Sequence, residues 1–253
     1  SSRSECLRFE VEGVQVGWVP PTVAPALSRF PKVFTPPQEG AITLCPGLES
    51  YNSRSSAKYE VMARFCDSPF MCMERAATSL FGVKRYGVHV NGYTRDKDGT
   101  VRMWLARRSP TKQTYPGRLD NLAAGGLASG TGVRQTMIKE CQEEACIPEC
   151  IAENAHPVGT ISYTYEDEEG VFPECQFVFD LELPPEFMPR IGDGEVQDFY
   201  LWPIEKVKDV IVTDDFKPNC AMVVLDFLIR HSFIQPDTER FYQELMTGLH
   251  RSL

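Results

Sequence analysis

The sequence lacks several features that would place it in a common class at once. It contains no apolar run near the ~20 residues that a membrane-spanning helix needs. Basic residues are outnumbered, with 26 Lys and Arg against 35 Asp and Glu and a formal net charge of −9. A chain with this balance has no broad basic field to neutralise phosphates, so we expect no nucleic acid and no membrane among its partners.

Cysteine is not scarce, with nine residues, but its arrangement excludes two common uses. The number is odd, and no pair has the C-x2-C spacing of a structural zinc site. Cys141, Cys175 and Cys220 lie within apolar patterns. We therefore expect reduced thiols and a cytoplasmic location. The Ser1-Ser2 start indicates a trimmed natural N-terminus, so an organelle stays open as an alternative.

The length of 253 residues suits one enlarged domain or two small ones, and the pattern changes near residue 85. Residues 1–85 predict a small α/β domain without a catalytic constellation, which we expect to pack against the second domain or cover its substrate. Its predicted elements are a hairpin over 7–11 and 14–18, short strands at 32–34 and 41–44, and helices over 53–65 and 71–80.

Residues 86–253 predict a mixed sheet with helices on both faces, so the chain is assigned to the α+β class. The last helix carries Phe241, Leu245 and Leu249, a face that fits packing or a homodimer interface. The predicted strands are 86–94, 101–107, 119–124, 159–165, 173–182 and 199–202. One predicted helix begins after residue 132, and three more cover 203–210, 219–231 and 237–249.

The most informative segment begins at the glycine pair Gly125-Gly126 and ends in an acidic helix. Glu140, Glu143 and Glu144 are spaced i, i+3 and i+4, so their carboxylates share one helix face. Like charges at this spacing cost about 0.2–0.5 kcal/mol per pair, and the helix dipole also disfavours anions near its C-terminus. Mg²⁺ or Mn²⁺ would remove this repulsion, because both ions prefer oxygen ligands.

This segment resembles the Nudix box of pyrophosphate hydrolases, whose pattern is G-x5-E-x7-R-E-U-x-E-E-x-G-U, with U a bulky apolar residue. The first glycine and all three carboxylates match. Thr131 replaces the early glutamate, Lys139 the arginine and Cys146 the last glycine. The resemblance implies an α/β/α sandwich, a Mg²⁺ or Mn²⁺ cofactor, and hydrolysis of a diphosphate bond in a small molecule.

The resemblance also implies roles for single residues. The Gly125 carbonyl and the carboxylates of Glu140, Glu143 and Glu144 would hold the metal. Lys139, counted with the catalytic residues, keeps the charge of the arginine but not its forked guanidinium. A further metal-binding and catalytic acid often comes from a distant loop in this family, and Glu195 is our choice. The general base stays open among Glu140, Glu144 and Glu195.

A second segment concentrates cations within this acidic chain. Arg107, Arg108, Lys112 and Arg118 lie within 12 residues, directly upstream of the glycine pair. Lys and Arg side chains are suited to hold phosphate oxygens, and Arg does so with two parallel bonds. We therefore expect all four to bind the substrate.

Nearly the whole chain resembles one Nudix branch, the plant plastid Nudix hydrolases and the fungal thiamine-pyrophosphokinase-related proteins. The likeness implies that thiamine diphosphate analogues in oxidised or damaged form are hydrolysed to the monophosphate. Tyr163 and Tyr165, on a strand beside the expected cleft, would stack on a flat heterocycle. The likeness rests on W-L-A-R-R-S at 104–109, K-Q-T-Y-P-G-R-L-D-N-L-A-A-G-G-L at 112–127, P-E-C-Q-F-V-F-D-L-E-L-P at 173–184 and an N-terminal domain that begins near Phe9.

Three other functions stay open at this point. One is a Nudix hydrolase of nucleotide-sugar or dinucleotide diphosphates. The departures at Thr131, Lys139 and Cys146 leave room for a second, a non-catalytic diphosphate-binding module. The Lys112…Tyr-Pro-Gly motif is also similar to isopentenyl-diphosphate isomerases on the same fold. That chemistry needs a cysteine, which the glycine-pair region lacks, so we rank it last.

Overall fold

A small sheet opens the computed structural model, which describes residues 3–46, 48, 61–65, 68–74 and 77–251. Its hairpin turns at Glu12 and Gly13, whose φ angles of 54° and 75° suit a tight turn. The sheet has the order β2-β1-β3, with β1 over Leu7–Val11, β2 over Val14–Val19 and β3 over Ala41–Thr43, and is preceded by a 3-10 turn at Arg3–Glu5.

The short helix α1, Ala24–Leu27, adds its side chains to the same small core as Phe9. Gly17 and Gly82 allow the segment around Phe81 to approach β2 closely, because a Cβ at Gly17 would lie 2.1 Å from Phe81 O.

The pairing of β1 with β2 confirms the predicted hairpin. The predicted strand at 32–34 is reduced to an isolated bridge between Phe34 and Leu44.

The next segment differs from the sequence prediction. Helices are predicted over 53–65 and 71–80, but the structure has an antiparallel strand pair, β4 over Val61–Phe65 and β5 over Ser68–Met73. Both predictions are wrong for these strands, because short apolar runs fit a strand as well as a helix and the period alone does not separate them. Residues 53–60 of the first predicted helix lie outside the described residues.

A mixed sheet of seven strands forms the second part of the chain, as predicted. Its order is β10-β11-β6-β7-β12, while β8 pairs with β7 and β9 pairs with β6. Among these pairs β11 and β6 run parallel, and the others are antiparallel. The strands are β6 Arg85–Arg95, β7 Val101–Arg108, β8 Leu119–Asp120, β9 Ala123–Gly126, β10 His156–Asp167, β11 Gly170–Glu182 and β12 Val196–Pro203.

Strand β6 divides this sheet. Its residues 87–90 pair with β9, whereas residues 92–95 pair with β7. Gly92 marks the change, since a Cβ there would lie 2.1 Å from Leu122 Cδ2. Among the described strands β9 has a partner on one edge only, and residues 124–126 are partly exposed in mid-sheet. The division thus leaves the second edge of β9 without a strand partner in the part of the chain that the structure describes.

Helices cover both faces, which confirms the predicted sandwich. Val88 and Val90 pack with Met137 and Cys141 of one helix, while β7 and β10 pack against the opposite layer. None of the helices in the described ranges has both the length and the apolar character to cross a membrane. The first layer holds α2, Val133–Ala145, and α3, Glu149–Ala152; the second holds α4, Ile204–Val210, α5, Pro218–Arg230, and α6, Tyr242–Leu249.

Candidate active site

Helix α2 directs two of its three predicted acids toward β9. Glu144 is 8% exposed, and its Oε2 accepts a hydrogen bond from Ala124 N–H at 2.9 Å. The Glu140 side chain is also largely buried. Glu143 is half-exposed and pairs with Lys139 at 2.6 Å. Two carboxyl groups are therefore buried, one of them on the backbone of β9, and the third is exposed beside Lys139.

The pKa values of the two inner carboxyls are raised. Desolvation is the main cause for Glu144, followed by Asp120, and its pKa lies well above the usual carboxyl value. Desolvation also raises the pKa of Glu140. Lys139 lowers this pKa in part, and the charges of Glu143 and Glu195 raise it further. Crowded acids of this kind are unfavourable alone and provide the oxygen donors that a divalent cation prefers.

Gly125 supplies the space that Glu140 occupies. A Cβ at this position would lie 2.1 Å from Glu140 Cδ and 2.3 Å from its Oε1. No other residue fits there unless the carboxyl group moves. The acid is therefore held directly against the backbone of β9, and the carboxylates of Glu140 and Glu144 offer the oxygen donors that a hard divalent cation prefers.

We expect Gly125→Ala to lower kcat/KM for any diphosphate that the protein hydrolyses by about 100-fold, because misplacing a reacting group by ~1 Å can cost this much. The matched control is Gly132→Ala, since a Cβ at Gly132 meets no atom within 4 Å. Thermal unfolding of both variants checks the fold. Equal activity of the two variants would mean that Glu140 is not held by this contact.

Cys146 ends α2 at the position where the box pattern has glycine. Its backbone is left-handed, with φ 52° and ψ 34°, a conformation that favours glycine. Its N–H donates to Gln142 O at 3.2 Å, and Ile147 N–H donates to Cys141 O at 3.0 Å. Cys146 thus keeps the left-handed backbone that glycine has in the box pattern. This conformation costs a non-glycine residue roughly 1–2 kcal/mol of conformational energy.

The loop after residue 189 docks on this helix end. The N–H groups of Arg190, Gly192 and Asp193 donate to the last three carbonyls of α2 at 3.1, 3.2 and 2.9 Å. Gly192 permits the approach, because a Cβ would lie 1.8 Å from Glu143 O. Asp193 Oδ1 then accepts a hydrogen bond from Glu195 N–H at 2.9 Å. These bonds bring Glu195 to the same helix as the other acids.

Glu195 forms an ion pair with Lys112. Lys112 belongs to the loop 109–118, and Ser109 N–H donates to Glu195 O at 2.8 Å, so the two loops hold each other. Both side chains are accessible to solvent. The structure therefore brings one predicted phosphate-binding cation and the predicted fourth acid together beside α2.

Arg108 is used within the protein. It is buried, pairs with Asp120 at 2.8 Å, and donates to Thr114 O and Tyr115 O at 2.8 and 3.1 Å. These contacts fold the loop 109–118 back onto β8. The guanidinium thus positions the loop that carries Lys112.

Arg107 is engaged on the other side of the same loop. It donates to both carboxylate oxygens of Asp215 and to Gly117 O at 2.9 Å. Arg118 lies over the Tyr115 ring, with its Cζ 5.4 Å from the ring centroid. Of the four predicted substrate cations, Arg107 and Arg108 are thus held by carboxylate and carbonyl groups, while Lys112 pairs with Glu195 and Arg118 lies over the Tyr115 ring.

A buried polar cluster near β9 has no counterpart in the sequence predictions. Ligand-type atoms of His89, Asp120 and Cys220 lie within 4.8 Å of one another. Cys220 Sγ–H donates to Asp120 Oδ1 at 2.7 Å, and His89 Nδ1 shares a hydrogen bond with Asn121 at 2.8 Å. Burial lowers the pKa of His89 to about 4, which keeps the ring neutral. No motif reveals this cluster, because Cys220 is 131 residues from His89.

Two cations already balance the one carboxylate of this cluster. Arg108 and Lys217 lie 2.8 and 3.5 Å from Asp120 Oδ2. Burial alone would raise the pKa of Asp120, but Lys217 and Arg108 outweigh it and hold the pKa well below its usual value. A further cation would be repelled there. We therefore assign the cluster a structural role, in which it holds β8 and β9 in place.

The two predicted stacking tyrosines differ in exposure. Tyr163 is buried, and its hydroxyl donates to Glu174 Oε2 at 2.6 Å. Tyr165 is 39% exposed, and its ring lies flat on Phe172 with a centroid distance of 4.5 Å. Of the pair, Tyr165 is therefore the one whose ring is open to a ligand.

Comparison with known proteins places this geometry in a family. The NUDIX domain profile matches residues 85–220, and a domain of unknown function, DUF4743, matches residues 1–58 and 56–85. The chain is 37% identical to Nudix hydrolase 20, chloroplastic, of Arabidopsis thaliana, over 95% of this chain and 73% of that protein. It is 36% identical to Nudix hydrolase 24, chloroplastic, of the same plant, over 96% and 73%. The uncharacterized protein YJR142W of Saccharomyces cerevisiae is 40% identical over 73% of this chain and 58% of that protein.

The family profile and the two plant relatives identify the sandwich with its acidic helix as a pyrophosphatase. The chain belongs to the Nudix hydrolase family, whose enzymes cleave diphosphate bonds and generally use divalent metals such as Mg²⁺. The predicted family and fold class are thereby confirmed. The likeness of the N-terminal part to thiamine-pyrophosphokinase-related proteins stays a prediction, since the profile that matches it has no assigned function.

Proposed function

We propose that this protein is a Mg²⁺- or Mn²⁺-dependent hydrolase that converts oxidised or damaged thiamine diphosphate analogues to the monophosphate and phosphate. The observation that carries the proposal is that Glu140 and Glu144 both lie against β9, Glu140 at Gly125 and Glu144 on the Ala124 N–H. The substrate class is supported by the sequence likeness across both parts of the chain.

The acids divide the work between holding the cation and moving a proton. The Gly125 carbonyl, Glu140, Glu143, Glu144 and Glu195 are the proposed metal ligands. When bound, the cation supplies charge neutralisation for the diphosphate and a more acidic water. One of Glu140, Glu144 and Glu195 takes the proton of the attacking water and so acts as the general base.

The cations support this arrangement in different ways. Lys112 and Arg118 are proposed to bind the phosphate oxygens, and Lys139 holds Glu143 at the rim. Arg107 and Arg108 keep the loop 109–118 in place, so we assign them a positioning role in substrate binding.

Three further assignments remain proposals. We divide the chain into domains 1–85 and 86–253, which agrees with two profiles that meet at residue 85. We propose a cytoplasmic location; the names of the two plant relatives contain "chloroplastic", so an organelle is the alternative. Leu245 and Leu249 of the predicted face pack within the chain, so a homodimer is proposed through Phe241, which is exposed just before α6.

The test is parallel incubation with Mg²⁺ of oxothiamine diphosphate, thiamine diphosphate, ADP-ribose and NADH, with products separated by chromatography. We expect monophosphate from the thiamine analogues, and we expect chelator to abolish it. Cleavage of only ADP-ribose or NADH would replace the substrate with a dinucleotide or nucleotide-sugar diphosphate. Binding without any product would indicate a non-catalytic diphosphate-binding module.

A further inference from the structure

One ion pair joins the two loops beside helix α2, the pair between Lys112 and Glu195. Its partners have different proposed uses, since Lys112 is to bind phosphate oxygens and Glu195 is to hold the cation. Neither side chain can fill its proposed role while the two are bound to each other. On these assignments, the contact between them opens when the site takes up both ligands.

The Glu195 carboxylate lies within electrostatic range of the buried acids of α2. Asp193 N–H donates to Glu143 O at 2.9 Å, and the two residues of chain that follow span at most about 7 Å. The negative charge of Glu195 also raises the pKa of both Glu140 and Glu144. The ammonium group that pairs with this carboxylate therefore places a positive charge at the edge of the acids.

Ser109 fixes the backbone of both partners. Its N–H donates to Glu195 O at 2.8 Å, and its carbonyl accepts from Lys112 N–H at 3.2 Å. The side chains, by contrast, reach solvent, with 47% of Glu195 and 26% of Lys112 exposed. Each side chain is long and unbranched, so rotation about its bonds can separate the charged ends while the backbone stays in place.

The pair is weak enough to be exchanged. An ion pair between solvent-accessible side chains contributes little, because water solvates both charges, and its effect on an equilibrium is at most about fivefold. A hard divalent cation is a stronger partner for the carboxylate, and phosphate oxygens are strong acceptors for the ammonium group. Both side chains therefore gain a better partner when metal and diphosphate bind together, whereas metal alone leaves the ammonium group unpaired beside a cation.

We propose that Lys112 and Glu195 form a resting contact that metal and diphosphate exchange together. In this exchange Glu195 turns to the cation and Lys112 turns to the phosphate oxygens. The lysine disfavours metal binding while diphosphate is absent and stops doing so once diphosphate is present, so each ligand raises the affinity for the other. The inference rests on the proposed diphosphate hydrolysis and names what controls the loading of that site.

The test measures metal affinity, so that it does not depend on turnover. Mn²⁺ is titrated by calorimetry into wild type and into Lys112→Met, which keeps the length of the side chain without its charge. The variant should bind Mn²⁺ about two- to fivefold more tightly than wild type. The titration is repeated with saturating methylenediphosphonate, a diphosphate analogue whose P–C–P bridge is not hydrolysed. At equal free Mn²⁺, the advantage of the variant should then fall to about onefold.

Two controls separate the ion pair from a general effect of charge. Arg118→Met removes a positive charge from the same loop, where Arg118 lies over the Tyr115 ring, and should leave the affinity for Mn²⁺ alone unchanged. In a Glu195→Gln background, Lys112→Met should no longer change this affinity, because the pair is already broken. Mn²⁺ binding that Glu144→Gln removes identifies the site, and thermal unfolding checks the fold of each variant.

Four results would overturn the inference: an unchanged Mn²⁺ affinity in Lys112→Met, an equal gain with methylenediphosphonate present, the same gain in Arg118→Met, or a gain that persists in the Glu195→Gln background. Phosphate release from diphosphates is followed separately. The exchange without any phosphate release would contradict the proposed hydrolysis alone. Phosphate release with an unchanged Mn²⁺ affinity in Lys112→Met would contradict the exchange alone, and absence of binding of either probe would contradict both.

Discussion

Glu144→Gln is expected to reduce phosphate release by roughly 10²–10⁴-fold while the protein stays folded. Glutamine still accepts the hydrogen bond from Ala124 N–H that Glu144 Oε2 accepts at 2.9 Å. It has no negative charge, so it is a poor ligand for a hard cation and cannot take a proton from water. The buried position of Glu144 makes replacement by solvent ineffective.

The measurement is kcat with the best substrate at saturating Mg²⁺, together with thermal unfolding. Glu149→Gln is the matched control, because Glu149 is an exposed acid in the first turn of α3 and lies outside the site. Wild-type activity in the control and loss in Glu144→Gln support the assignment. A kcat for Glu144→Gln close to that of the control would remove Glu144 from the reaction.

Asp120→Asn is expected to lower the free energy of unfolding by about 3–5 kcal/mol, because breaking a buried pair leaves its cations uncompensated. Asp120 is 6% exposed, and Arg108 and Lys217 both depend on it. The amide can keep a hydrogen bond but cannot balance two positive charges. Urea unfolding measures the difference directly.

The neighbouring ion pair provides the control. Asp215→Asn removes the partner of Arg107, but the Asp215 side chain is 48% exposed, so a loss of at most about 1 kcal/mol is expected. Similar losses in both variants would show that the Asp120 cluster contributes no more than a surface pair.

The same aspartate gives a direction for acid stability. Its pKa is held below the usual value in the folded protein, so its stabilisation is fully present above the unfolded pKa of about 3.9. That contribution is lost as pH falls through the folded pKa. Asp120→Asn should therefore lose less stability than wild type on acidification below about pH 4.

Elements with a long, regular pattern could be predicted from the sequence. The period of Val133, Met137 and Cys141 placed helix α2, and the alternation around residues 86–107 placed β6 and β7. The strands β4 and β5 could not be predicted in this way, since strands of five and six residues have too few positions to show a period. Their pairing depends on partners on the other strand, such as Met62 with Cys72, which local patterns do not contain.

Only part of the candidate site could be predicted from the sequence. The acids of α2 could be located because their spacing is itself the signal. The uses of Arg107 and Arg108 could not, because Asp215 is 108 residues from Arg107, and Arg108 depends on carbonyls that only the folded loop presents. The two adjacent arginines thus have different partners, and both hold the loop 109–118.

The free edge of β9 has a consequence for solubility. An unpaired strand edge is a template on which another chain can add a strand and begin to aggregate. Here the Glu144 carboxyl group occupies the outward Ala124 N–H, and the charge of Glu140 lies over Gly125. The residues proposed for chemistry therefore also hinder the addition of a strand from another molecule. A small apolar residue at position 144 would remove an acid and also leave the Ala124 N–H open to such pairing.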